Sequence, residues 1–234
     1  MKKWIKIAMY SVLGILIIGS ITFFVWSQFT YKPTEEALSL VDQKDKENLV
    51  FGQKEAEIGI IFYQGAKVEV ESYSYLGKGL ENNGYFVVMP KLPFNLAILG
   101  TNVAGDIIET YPKIQKWYVV GHSLGGSMIS RYAFHHEKKV EGIIFLASYP
   151  ADDFSTKSIP MLSIYGEVDG VATVDEIKNR GNFMSKNTTM HMIKGGNHAN
   201  FGMYGKQKGD NDSLITSKAQ QDETVKVIAE WLQK

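Results

Sequence analysis

From Leu49 onward, strand-length apolar runs alternate with stretches of helical periodicity. The runs at 58–63, 85–89, 117–120, 142–146, 161–165 and 189–193 are rich in Val, Ile, Phe and Tyr. Several are apolar at nearly every position, as strands covered on both faces are. Between them, 73–82, 103–111, 124–136 and 174–179 read as helices, and 217–233 carries Val225, Ile228, Ala229 and Leu232 at helical spacing. This alternation predicts one doubly wound α/β domain. Its sheet is mostly parallel, of about seven strands including weaker ones near 49–51, with helices on both faces.

The N-terminal pattern is different. Lys2, Lys3 and Lys6 precede residues 7–26, which carry no charge. As a helix this run spans roughly 30 Å, the hydrocarbon thickness of a bilayer. Trp4, Trp26 and Tyr31 near its ends favour the interface, and the lysines before it predict a cytoplasmic N-terminus with the rest outside. Residues 1–26 are therefore expected as a transmembrane anchor. The alternative is a signal peptide, cleaved so that the domain is secreted, although Ser27-Gln28-Phe29 makes a poor cleavage site. Residues 27–47, polar and ending in Asp42-Gln-Lys-Asp-Lys-Glu47, read as a stalk with a short helix near 35–41, leaving 48–234 as the α/β domain.

Composition narrows the chemistry. Lys+Arg and Asp+Glu both count 25, so no basic excess points to nucleic acid. There is no cysteine, which excludes disulfides, thiolate metal sites and a cysteine nucleophile.

Gly121-His122-Ser123-Leu124-Gly125 fits the G-x-S-x-G elbow, and it lies between an apolar run and a helical stretch. A strand–turn–helix there exposes the serine hydroxyl at a helix N-terminus, where the dipole favours developing negative charge. A serine hydroxyl needs a base held by a third group, and behind such an elbow the chain order is serine, acid, histidine. Asp169 follows the run at 161–165, and His198 follows the run at 189–193. Both fall outside the carboxyl ends of parallel strands, where α/β sheets hold their sites. Glu167, Asp152 and Asp153 are the alternatives for the acid. His122 reads as a packing or hydrogen-bonding residue, His135 and His136 as surface, and His191 as core or face. The oxyanion hole needs two N–H groups, expected from Leu124 and from Ala66 in the Tyr63-Gln64-Gly65-Ala66 loop.

These motifs resemble the α/β-hydrolase superfamily, in particular its small bacterial branch related to dienelactone hydrolases. The likeness runs from Gly59 to about Leu232. It rests on the Tyr63–Ala66 loop, Gly121-His-Ser-Leu-Gly-Gly126, Tyr165-Gly-Glu-Val-Asp169-Gly170 and Gly195-Gly-Asn-His198. The resemblance implies a Ser-His-Asp triad acting through an acyl-enzyme on a small-molecule ester, with no metal or organic cofactor. A thioesterase, acyltransferase or amidase would use the same site, and a non-catalytic envelope-binding module is the reading from another class. Gln64 replaces the superfamily's common His in the oxyanion loop. The short stretch 151–160 leaves no room for an inserted cap, so the site is expected to be open. Residues 201–212 would form a partial lid or a plain surface loop. Tyr63, Phe94, Tyr149 and Phe201 are the expected apolar walls.

Overall fold

A computed structural model describes residues 3–41 and 48–234, and the backbone of Lys44 and Asp45. The chain divides after Thr30 into two compact units. The first is the helix α1 (Lys3–Ser27), whose mean hydropathy of 2.2 and 25 residues make it long and apolar enough to cross a membrane.

The second unit begins earlier than composition suggests. Tyr31 N–H donates to Lys67 O (2.7 Å), Glu69 N–H donates to Tyr31 O (3.0 Å), and Thr34 N–H donates to Met203 O (2.8 Å). Helix α2 (Glu35–Ser39), capped by Thr34, buries Ala37 completely. Residues 31–39 therefore pack on the domain and are not a stalk: their backbone groups and one small apolar side chain find partners that polarity alone did not reveal. Most of the charged run 42–47 lies outside the described residues.

Eight strands form one sheet: β1 (Lys44–Asp45), β2 (Asn48–Phe51), β3 (Ile58–Tyr63), β4 (Phe86–Pro90), β5 (Lys116–His122), β6 (Gly142–Leu146), β7 (Met161–Gly166) and β8 (Thr188–Ile193). Their order is β1-β2-β4-β3-β5-β6-β7-β8. The two at the β1 edge pair antiparallel and the other six run parallel. Helices α3 (Ser74–Asn82), α4 (Val103–Thr110), α5 (Leu124–His135), α6 (Val174–Arg180) and α7 (Ser217–Leu232) complete the fold.

The period-2 geometry of a strand sends alternate side chains to opposite faces. In β3, Ile60 and Phe62 join one core with Leu76, Leu80, Ile177 and Ile228, from α3, α6 and α7. Ile61 and Tyr63 join the other with Ala104, Ile107, Ile129 and Ala133, from α4 and α5. Strands buried on both faces explain the continuous apolar runs. No helix is inserted between β6 and β7, so the domain carries no cap. The register aligns Tyr63 with Gly121, His122 with Leu146, and Gly166 with Ile193. The loops after β3, β5, β6, β7 and β8 thus emerge along one edge.

Candidate active site

Ser123 is held at φ 52°, ψ −125°, a conformation that L residues adopt only under constraint. Its N–H donates to Leu146 O (3.0 Å), and its own C=O accepts from Gly126 N–H (3.0 Å) and Ser148 Oγ (2.6 Å). The flanking glycines are required by space. A Cβ at Gly121 would lie 2.4 Å from Gly126 N, and one at Gly125 would lie 2.3 Å from Tyr63 O. Leu124 opens α5, so its N–H is among the first-turn donors that have no partner inside the helix.

His198 and Asp169 meet in the interior. His198 Nδ1 lies 2.9 Å from Asp169 Oδ2, with both side chains almost wholly buried. The other carboxylate oxygen, Oδ1, accepts from Val171 N–H and Ala172 N–H, each at 2.7 Å. A carboxylate only accepts, so Nδ1 carries the proton and Nε2 is left as a free acceptor. Nε2 is buried with no hydrogen-bond partner among the described residues. Ser123 and His198 line one cleft of about 210 Å³ with Leu124, Ser127, Tyr149 and Glu176, while the Ser123–His198 hydrogen bond is not formed.

The other acid candidates are engaged elsewhere. Asp152 pairs with Arg131 (3.2 Å), Asp153 caps Ser155 N–H (2.9 Å), and Glu167 accepts from Gly195 N–H (2.9 Å). His191 pairs with Glu223 (2.8 Å) at the surface of β8.

A sequence-family model described as "Alpha/beta hydrolase family" matches residues 59–222. The chain belongs to the α/β-hydrolase family. Among solved structures with the same fold, a monoacylglycerol lipase from Paleococcus ferrophilus is 16% identical, with TM-score 0.61 over 79% of this chain and 97% of that one. An esterase from Thermogutta terrifontis is 10% identical, with TM-score 0.62 over 80% and 92%. Est1E from Butyrivibrio proteoclasticus is 14% identical, with TM-score 0.60 over 80% and 94%. No curated protein sequence matches the chain.

In this α/β-hydrolase the loop after β3 is braced from below. Gly65 N–H donates to Tyr73 Oη (3.0 Å), and that hydroxyl lies 2.8 Å from His122 Nδ1. The Tyr73 hydroxyl thus bridges Gly65 N–H and His122 Nδ1, while His122 Nε2 is buried with no hydrogen-bond partner among the described residues. His122 is fully buried, its ring 4.6 Å from that of His198. Burial first, and the neighbouring His198 second, hold its pKa well below the ordinary histidine value. Burial likewise raises the Tyr73 phenol. The N–H groups of Gly65 and Lys67 are both taken, the second by Asn95 O (2.8 Å). The Ala66 N–H between them has no acceptor among the described residues, although Ala66 does not line the cleft. Gln64 is buried with its amide unpartnered among the described residues, for which the structure offers no account.

Of the four expected walls only Tyr149 lines the cleft. Tyr63 is a core residue whose hydroxyl donates to Gly100 O (2.8 Å) and accepts from Ala104 N–H (2.8 Å). Phe201 is fully buried against His122, and Phe94 is 42% exposed. Within 201–212, Phe201, Met203 and Tyr204 are buried and Tyr204 packs on Tyr31 and Tyr73, whereas 205–212 is mostly exposed. Sequence reasoning did not single out Tyr73, Ser148 or Glu176, which lie outside any motif.

Proposed function

We propose that this α/β-hydrolase is a serine hydrolase that cleaves a carboxylic ester, with Ser123 as nucleophile, His198 as base and Asp169 as its orienting acid. The observation that carries the reading is the buried Asp169–His198 bond, which leaves Nε2 as a free acceptor in the cleft that the strained Ser123 also lines. In catalysis Nε2 takes the Ser123 proton as Oγ attacks the carbonyl carbon. The oxyanion is met by the N–H groups of Leu124 and Ala66. His198 then gives the proton to the departing alcohol. Water attacks the acyl-enzyme with His198 again as base, releasing the acid and restoring the serine. Asp169 steadies the imidazolium without taking the proton. The Ser123–His198 hydrogen bond forms when substrate fills the cleft, as catalytic hydrogen bonds commonly tighten only in the complex. The ester preference is supported by the lipase and esterase named above.

We further propose that α1 anchors the catalytic unit to the cell membrane, with the N-terminus cytoplasmic and the domain outside. Labelling with a fluorophosphonate probe tests the first reading. Intact chain should react and Ser123→Ala should not, with ester turnover lower by on the order of 10⁴–10⁶-fold. Equal behaviour of the two proteins overturns it. Fractionation tests the second: an uncleaved chain should follow the membrane, whereas a shortened soluble product would identify a signal peptide.

A further inference from the structure

Asp210 lies outside the elbow, the acid loop and the base loop, yet its carboxylate touches the last two. Gly209, at φ 88°, turns the chain just before it. Asp210 Oδ1 then accepts from Gly170 N–H (3.0 Å) and His198 N–H (3.3 Å), and Oδ2 accepts from Ala199 N–H (2.8 Å). Gly170 directly follows Asp169. One side chain therefore gathers the peptide beside the acid and the peptide of the base itself.

The surrounding loop is fixed to the same framework. Asn197 Nδ2 donates to Asn211 O (2.8 Å), Leu214 N–H to Gly195 O (2.8 Å) and Ser213 Oγ to Gly195 O (2.9 Å). The acid loop is pressed against it: a Cβ at Gly170 would lie 2.8 Å from both Asn211 N and Gly209 O. Gln220 on α7 also clamps Asn197, accepting from its N–H (3.0 Å) and donating to its C=O (2.8 Å). Asn211 N–H donates to Asp210 Oδ1 as well (2.9 Å). A carboxylate is an acceptor-only group and can receive all four N–H donors. An amide of the same shape would turn a donor toward a donor.

We propose that Asp210 is a positioning residue that couples the Asp169 loop to the His198 loop and thereby sets the alignment of that pair for proton transfer. It does not line the Ser123 cleft, and the proposal rests on the serine-hydrolase reading above. A hollow of about 340 Å³ borders Asp210 on its other side, so a small anion can reach the space left by a truncated side chain.

The test uses the full-length chain in detergent micelles, with p-nitrophenyl acetate as substrate. Asp210→Asn should lower kcat on the order of 10- to 100-fold, because slight misplacement of reacting groups has that effect, with KM within about twofold. In histidine-labelled protein the NMR resonance of the His198 Nδ1 proton should shift or broaden by exchange. In Asp210→Ala, formate but not chloride should restore turnover. The proposal is overturned if Asp210→Asn keeps both the wild-type kcat and the wild-type resonance, or if KM rises while kcat does not change. If both variants fail to fold even with formate, Asp210 is a stability element and the proposal is also overturned. If wild-type chain neither labels nor turns over, the hydrolase reading fails, and the Nδ1 resonance alone decides whether Asp210 aligns the pair.

Discussion

Tyr73 shows how much one buried hydroxyl can hold. It receives the Gly65 N–H and reaches His122 Nδ1, tying the loop after β3 to the elbow. Tyr73→Phe preserves the ring packing against Phe62 and removes only that oxygen. Two buried polar groups are then orphaned, at a cost of about 1–3 kcal/mol each. Thermal melts should therefore show a fall of several degrees, and ester turnover should slow as the Ala66 N–H loses its support. Glu176 matters in another way. Among the described residues, it is the only ionisable side chain along the cleft besides His198 and Tyr149, and it takes the Tyr149 hydroxyl at 2.7 Å. That bond, more than burial, raises the Tyr149 phenol pKa. A carboxylate at this wall disfavours anionic substrates. Glu176→Gln should raise kcat/KM for a carboxylate-bearing ester relative to its neutral analogue by about fivefold, corresponding to a partly screened Coulomb term of about 1 kcal/mol. Matched ester pairs measure it.

At the scale of elements, the elbow between β5 and α5 depends on close backbone approach. Gly125→Ala places a methyl 2.3 Å from Tyr63 O, which the β3 register holds in place, and 2.5 Å from Gln64 O directly after it. The expected outcome is loss of soluble folded protein. Gly105→Ala on α4 meets nothing nearer than 3.4 Å and should be neutral or stabilising by up to about 1 kcal/mol. Soluble yield measures the first variant and a circular dichroism melt the second. These elements were largely legible beforehand, because β3, β6 and β7 are apolar at nearly every position and α5 follows the glycine-flanked serine. Ser123, Asp169 and His198 could be picked out for the same reason: each follows a readable strand. What escaped notice was held by backbone groups. Residues 31–39 join the domain through amides and carbonyls, and Asp210 accepts from four backbone N–H groups, none of which leaves a hydrophobic period. Phe94 looked like a wall because it is aromatic, and it stands in a tight turn with positive φ at 53°.

For the molecule as a whole, stability should carry the signature of a neutral buried histidine. Because the folded-state pKa of His122 is depressed, the unfolded chain binds a proton below about pH 6.5 that the folded chain refuses. Stability from this group is complete above that pH and is lost as pH falls toward the folded value, by up to about 1.4 kcal/mol per unit. Urea unfolding at pH 7 and pH 5.5 should show the decline, and His122→Gln should flatten it. The strand order has a consequence in time as well as in space. β5 and β7, whose loops carry Ser123 and Asp169, precede β8, and β8 is both the sheet's edge and the last strand in the chain. A ribosome that has reached residue 187 has made the serine and the carboxylate but not the imidazole, and Asp210 comes later still. At about 5–20 residues per second, the missing parts follow within seconds. With His198 as the proposed base, the nascent domain until then lacks the group that takes the serine proton, and it stays inert while it is being made.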